Sequence, residues 1–292
     1  MSASALRSDM RSDMGHAGAA PAASVPGVPA FVRAKGGVRV AFGTAGERTQ
    51  ALTVAESGGY RIRFPRNADI CEGTLINTGG GMTGGDHMRV DVTLAPAARA
   101  LVTSQAAEKL YRAEDVPTRI DIALRLGAGS HLAWLPQEMI LFDRARLLRR
   151  LDVDMAPDAS LTLAEGVVFG RTAMGEAVTE GHLDDRWSIR RDGRLVFAEA
   201  VRLHGGIAAR LARPAIGGGA RALATILHIA PDAEAQLDAM RATLAGATSE
   251  CAASAWNGLL VARLMGPDPA ALRADLVRTI EAFRGRSVPR YW

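Results

Sequence analysis

The stretch TGGGMTGGDHMRVDV, Thr78 to Val92, decides how this chain is to be read. Gly79, Gly81 and Gly84 spell G-x-G-x-x-G, the outline of a dinucleotide-binding turn. Such a turn needs a strand before the glycines and a helix after them. The helix N-terminus supplies the free N–H groups and the positive dipole end that hold a pyrophosphate. Gly73–Thr78 supplies the strand. The residues after the glycines do not supply the helix. Met88, Val90, Val92 and Leu94 alternate with polar residues at a period of two, and a helix turning about 100° per residue cannot produce that. No Gly-Lys-Ser/Thr comes after the turn either, so a P-loop fails as well. The stretch reads as strand, wide glycine turn, strand, with Asp86 at the mouth of the turn. A nucleotide-dependent oxidoreductase built on this loop is the least supported function class.

The same period of two runs from Val38 to about Leu203. Tyr60–Phe64 alternates, as do Ile120, Ile122, Leu124 and Leu126, and Leu151, Val153 and Met155. Each run buries one face and turns the other to water or a polar partner. The middle also repeats itself. RVDVTLAPAARALV starts at Arg89, RIDIALRLGAGSHL at Arg119 and RLDVDMAPDASLTL at Arg150. Each copy reads as a hairpin-like unit whose second strand is Ala100–Thr103, His131–Trp134 or Leu161–Ala164. Units of about 30 residues usually bury their apolar faces by stacking on neighbours.

After Pro231 the texture changes. Leu237, Met240 and Leu244 fall on one helical face, and Ser254–Gly266 shows helix-like spacing through Trp256, Leu259, Leu260, Arg263 and Leu264. The clearest helix is Asp268–Phe283, with Asp268 as N-cap, Pro269 in the first turn and Gly285 as the stop. The expected fold class is α+β, mostly β: layered or solenoid-like stacked β-strands with a few C-terminal helices. Residues 1–30, with RSDM repeated at Arg7–Met10 and Arg11–Met14, read as a disordered tail. Residues 31–292 read as a single domain. Its β-rich body covers about 38–203 and its helical part about 231–285.

Composition narrows the function classes. Thirty-five basic and 31 acidic residues give a net charge of +4, and only Lys35 and Lys109 among the basic residues are lysines. The basic excess is small and interleaved with acids, so nucleic acid is not an expected partner. The densest basic run, Arg144–Arg150, reads as a solvated strand edge. Cys71 and Cys251 cannot make a disulfide framework. No run approaches the ~18 apolar residues of a membrane span. The N-terminus lacks the apolar core of a signal peptide. The cytoplasm is the expected compartment, with no membrane partner.

Ionisable residues that could carry chemistry are scattered. No pair of His131, His182, His204 or Cys71 has a recognised metal-ligand spacing, and no G-x-S-x-G elbow occurs. A metal-binding enzyme on a β scaffold, using His131, His182 or His204, is the alternative function. Three insertions come after the repeated units: Thr103–Ala113, Leu135–Ala145 and Gly170–Glu176. They carry Glu108, Glu138 with Asp143, and Glu176. If the units stack, these insertions gather at one end.

Five segments, NTGGGMTGGD, TSQAAEKLYR, WLPQEMILFDRA, GRTAMGE and GRSVPRYW, occur in this order and together resemble the urease accessory protein family UreD, also called UreH. The match covers roughly Phe42 to Trp292. The resemblance implies a mostly β fold and a protein that is not an enzyme. It implies a scaffold that binds apo-urease and forms a complex with UreF and the GTPase UreG, for GTP-dependent nickel insertion. It implies a water-filled nickel passage and acidic residues linked to metal transfer, which here fall on Asp86, Glu138, Asp143 and Glu176. It also implies no tightly bound cofactor, only transient Ni2+. Lys109, Tyr111 and Arg112 occupy the K-x-Y-R positions.

Overall fold

The computed structural model describes residues 33–46, 48–65 and 70–292. The tail expected over residues 1–30 lies outside them. Residues Arg33–Trp292 form one compact unit.

The alternating segments become strands. Along the chain they are β1 (Lys35–Ala45), β2 (Arg48–Ser57), β3 (Tyr60–Arg63), β4 (Cys71–Asn77), β5 (His87–Leu94), β6 (Arg99–Ser104), β7 (Glu108–Leu110), β8 (Thr118–Leu126) and β9 (His131–Leu135). They continue as β10 (Met139–Leu141), β11 (Arg146–Met155), β12 (Ser160–Phe169), β13 (Gly181–Arg191) and β14 (Arg194–Gly205). A short helix α1 (Ile207–Leu211) precedes β15 (Ala222–Ile229), α2 (Leu237–Leu244), β16 (Glu250–Trp256), β17 (Leu259–Gly266) and α3 (Pro269–Arg284).

Two sheets result. The seven-stranded sheet has the order β14-β13-β11-β8-β5-β1-β2. The ten-stranded sheet runs β16-β17-β15-β12-β9-β6-β4-β3, with β7 and β10 continuing from β12. The central strands of both sheets pair in parallel, each with the equivalent strand of the next repeat. The repeated units therefore stack as expected. They are not hairpins, however: β5 and β6 belong to different sheets and pair with other copies, not with each other. Antiparallel strands β2 and β14 close the two ends of the first sheet.

The register corrects the repeat in its middle copy. Arg89, Asp121 and Arg150 share a row, as do Ala100, Leu132 and Leu161. Aligning the first and last copies on Arg119 and His131 is out by two and by one residue. A two-residue slip preserves the inward-outward parity, so alternation alone cannot see it.

Inward residues form continuous rows between the sheets. Val40, Val92, Leu124, Val153 and Ile189 sit in one row, all fully buried. The outward positions of the same strands carry charge. Asp91, for example, lies among Arg39, Arg89 and Arg125. This explains the repeated Arg-apolar-Asp-apolar wording: the apolar positions feed the core and the charged positions pair on the surface. The outer face of the second sheet is apolar too. Leu101, Ala133, Leu135, Ala164, Ile226 and Leu260 pack there against Met240, Leu244, Leu272, Leu276 and Ile280 of α2 and α3. The unit Arg33–Trp292 thus has three layers: sheet, sheet, helices.

α3 keeps its expected cap. Asp268 accepts from the N–H groups of Ala270 and Ala271, and Gly285 ends the helix in the left-handed region at φ 61°. Ser254–Gly266 departs from its helical reading and forms the β16–β17 hairpin. β17 is buried on both faces, so its apolar run lacks strand alternation and mimics helical spacing. The turn is Asn257-Gly258, with φ of 52° and 75°, the pair a two-residue hairpin favours. Among the described residues no helix is long and apolar enough to cross a membrane.

Candidate functional site: a carboxylate-lined interior

The insertions do gather at one end. β7 and β10 pair in parallel and lie beside the end of β12, forming a third row along the stack. The glycine turn joins this row. Met82 N–H donates to the Lys109 carbonyl at 2.7 Å, and Tyr111 N–H donates back to the Met82 carbonyl at 2.8 Å. Gly81 sits at φ 152°, and a side chain there would meet the Tyr111 ring at 2.4 Å. The turn is glycine-rich because backbone and ring approach closely, not to cradle phosphate. Arg171 lies over the Phe142 ring at 4.5 Å, and Phe142 meets Tyr111 edge-on. The C-terminal Trp292 also reaches the stack, donating its indole N–H to Thr103 Oγ1 and the Leu135 carbonyl.

The four carboxylates expected to handle metal are each engaged by protein groups. Asp86 is buried and accepts from Ala34 N–H and Thr83 N–H, both at 2.8 Å. It pins the glycine turn to the start of β1. Glu138 pairs with Arg273 of α3. Asp143 accepts from Thr179 N–H at 2.7 Å, the Thr179 hydroxyl at 2.9 Å and Glu180 N–H at 3.1 Å. Burial works upward on its pKa, but these donors together hold it below the usual carboxylate range. Glu176 forms a two-point pair with Arg171, which lowers its pKa. Asp143 and Glu176 belong to adjoining turns, and the Asp143 backbone amide also lowers Glu176. Asp86→Ala would remove the acceptor of the Ala34 and Thr83 N–H groups, which lie close enough to solvent to bond water instead, so each lost bond costs about 0.5–1.5 kcal/mol. Its expected result is a lower melting temperature by thermal denaturation. An unchanged melting temperature would show that the cap is dispensable.

The open space lies between the sheets. A cavity of about 160 Å³ extends from Gly80, Gly81 and Glu108 at the motif end to Trp134, Arg149 and Glu165 inside. A second, of about 400 Å³, is lined by Glu165, Asp185, Trp187, Glu199 and Arg263. Glu165 belongs to both. Between them stands a buried ionic triad. Arg149 Nη1 donates to both Asp185 oxygens at 3.1 and 3.0 Å, and Nη2 donates to Glu165. Trp134 Nε1 donates to Glu165 at 2.7 Å and Trp187 Nε1 to Asp185 at 3.2 Å. Arg149 is 2% exposed, which overturns its reading as part of a solvated edge. β11 is an inner strand, flanked by β8 and β13.

Burial dominates the electrostatics here. It pushes Glu165 up, against the pull of Arg149. It pushes Glu199 up as well, with Asp185 adding to the effect and Arg263 opposing it. Glu108, which among the described residues accepts only from Asn77, is pushed up to about 7 by burial. Burial disfavours the Arg149 charge, yet Asp185 and Glu165 together outweigh that and keep the guanidinium protonated.

Parity could have exposed the triad in the sequence. Arg149 takes an inward position between Leu147 and Leu151, Asp185 between Leu183 and Trp187, and Glu165 between Leu163 and Val167. An ionisable residue at an inward position of an alternating strand needs a partner. The histidines do not converge on a metal. His131 bonds the Ser160 hydroxyl, while His182 and His204 stack with ring centroids 3.9 Å apart on the first sheet. Among the described residues no three His, Cys, Asp or Glu side chains group as metal ligands. Cys71 packs against the core, and burial raises its thiol pKa, away from the thiolate a metal would need.

Comparison with known proteins gives one consistent answer. The model of the UreD urease accessory protein family matches residues 34–292. A urease accessory protein UreD of Azorhizobium caulinodans is 47% identical over 91% of this chain and 98% of its own length. One from a Methylobacterium species is 49% identical over 91% of this chain and 97% of its own length. With that match spanning the glycine turn, the three insertions and the C-terminal tryptophan, the chain belongs to the UreD family of urease accessory proteins, whose role lies in urease maturation.

Proposed function

We propose that this chain is a non-catalytic scaffold for GTP-dependent insertion of nickel into apo-urease, acting in the cytoplasm within a complex with UreF and the GTPase UreG. Nickel is cargo here, not a resident cofactor. The observation that carries the reading is the interior: two cavities between the sheets, lined in sequence by Glu108, Glu165, Asp185 and Glu199. Oxygen ligands spaced along a path hold a divalent cation weakly, as handover requires. A closed set of Cys and His ligands would retain it. The acidic positions Asp86, Glu138, Asp143 and Glu176 serve this reading as structural ties of the end where cavity and insertions meet. A metalloenzyme reading has no converging ligand set among the described residues to support it.

The test is the whole urease operon expressed with a Glu108→Gln/Glu199→Gln variant of this chain. Urease nickel content should fall about tenfold while the complex still co-purifies. Normal nickel content in an intact complex would sink the interior-route reading.

Glu108 adds a pH dependence. Its carboxyl is protonated below about pH 7 and must lose that proton to take a cation. Nickel binding by the purified chain should therefore weaken from about pH 8 to about pH 6, and Glu108→Gln should remove that part of the slope. The sign for folding is the reverse of a salt-bridged acid. Stability from this group is present below its ordinary value of 4.5 and is lost as pH rises through about 7. Glu108→Gln should then be the more stable protein at alkaline pH.

A further inference from the structure

An apolar side chain would fill the position of Arg149 more cheaply than a guanidinium does. Its row neighbours across the sheet are Ile120 and, one strand further, Met88. Replacing a buried ion cluster by packed apolar residues is commonly neutral or stabilising. The triad also stands where the two cavities adjoin. Arg149 lines the smaller, Asp185 the larger, and Glu165 both. The partition between them is thus made of ions, and ions can exchange partners where a packed wall cannot.

Two further details bear on what could replace the guanidinium. Each carboxylate has an anchor of its own: Trp134 holds Glu165 and Trp187 holds Asp185, both through the indole N–H. The pair stays oriented when Arg149 leaves. The charge count also favours exchange: the guanidinium brings one positive charge to a pair of carboxyl groups, whereas a divalent cation brings two.

We propose that Glu165 and Asp185 form a divalent-cation site that Arg149 occupies as a tethered counter-ion, so that the guanidinium closes the passage between the cavities until a cation displaces it. The inference rests on the reading of the interior as a nickel route and adds its control point. On displacement the guanidinium moves into the smaller cavity. Glu108 also lines that cavity and forms no ion pair among the described residues.

The test is equilibrium dialysis of the purified full-length chain against Ni2+. Arg149→Gln, folded by circular dichroism, should bind one more Ni2+ per chain than the parent, at least tenfold more tightly. Arg149→Gln/Glu165→Gln/Asp185→Asn should lose that gain. No gain in the single variant, or a gain that survives in the triple variant, overturns the proposal. Should Arg149→Gln fail to fold, Arg149→Lys decides. Its ammonium keeps the charge but cannot span both carboxylates in fork geometry, so a gain of about threefold is expected and none would overturn the proposal. The two readings fail separately. A nickel gain in Arg149→Gln beside normal urease loading in Glu108→Gln/Glu199→Gln sinks the route and keeps the site. The opposite pair of results sinks the gate alone.

Discussion

Leu124→Ala should cost about 2–5 kcal/mol of folding free energy, a drop readable as a large shift in the denaturant midpoint. Leu124 is fully buried and stands between Val92 and Val153 in the inward row of the first sheet. Its neighbours belong to a parallel ladder whose hydrogen bonds fix the strand positions, so they cannot close over the lost methyl groups. The residual void then adds to the transfer term. The paired control is Arg125→Ala, the next residue along, whose side chain faces out and pairs with Asp91 at 3.7 Å. It should stay within about 0.5 kcal/mol of the parent. Equal costs for the two would mean that the inward and outward faces of β8 have been exchanged.

Removing Tyr291 and Trp292 should produce the second large effect. The Trp292 indole N–H is shared between the buried Thr103 hydroxyl, at 3.0 Å, and the Leu135 carbonyl, at 2.9 Å. Arg273 of α3 lies over the ring at 5.5 Å, and Gln137 donates to the Tyr291 carbonyl at 2.8 Å. The last two residues therefore join three parts: strands β6 and β9, the loop after β9, and α3. Trp292 is half-buried and Tyr291 exposed, so the loss is that of these three hydrogen bonds, one cation–π contact and part of one ring, about 2–3 kcal/mol. It should also raise hydrogen exchange in α3 more than in β8. Unchanged exchange in α3 would show that the C-terminus merely rests on the surface.

Much of the fold is legible in the residues. The strand after the glycine turn, the stacking of the repeats and the Asp268–Gly285 limits of the last helix come from alternation and capping, which act over a few residues. The departures share one cause, the limits of local pattern. β17 is buried on both faces, so its periodicity vanishes, and the Asn257-Gly258 turn is the signal that marks the hairpin. The register of the middle repeat slips by two in its first strand, where parity is unchanged, and by one in its second, where the start of a short apolar run is misplaced. Arg149 looks solvated beside its charged neighbours Arg146 and Arg150, although its parity places it with Leu147 and Leu151. The site is legible only in part. Insertions that gather at one end are a consequence of stacking, but the partners of Glu138 and Asp143, and the Ala34 partner of Asp86, lie far along the chain. Local pattern does not encode such pairings.

The parallel ladder also bears on how the chain reaches its native state. Apart from the hairpins β1–β2 and β13–β14 at its two ends, adjacent strands of the first sheet are separated by a whole turn of the stack, so the pairing of its centre is non-local. Closing such long loops before any pairing rewards them slows folding. Until β14 arrives, each newly made strand leaves an open row of N–H and C=O groups ready to capture another molecule. A growing chain is therefore sticky at its synthesis front. Slower translation or cooler growth should raise the recovered fraction without altering a single native contact.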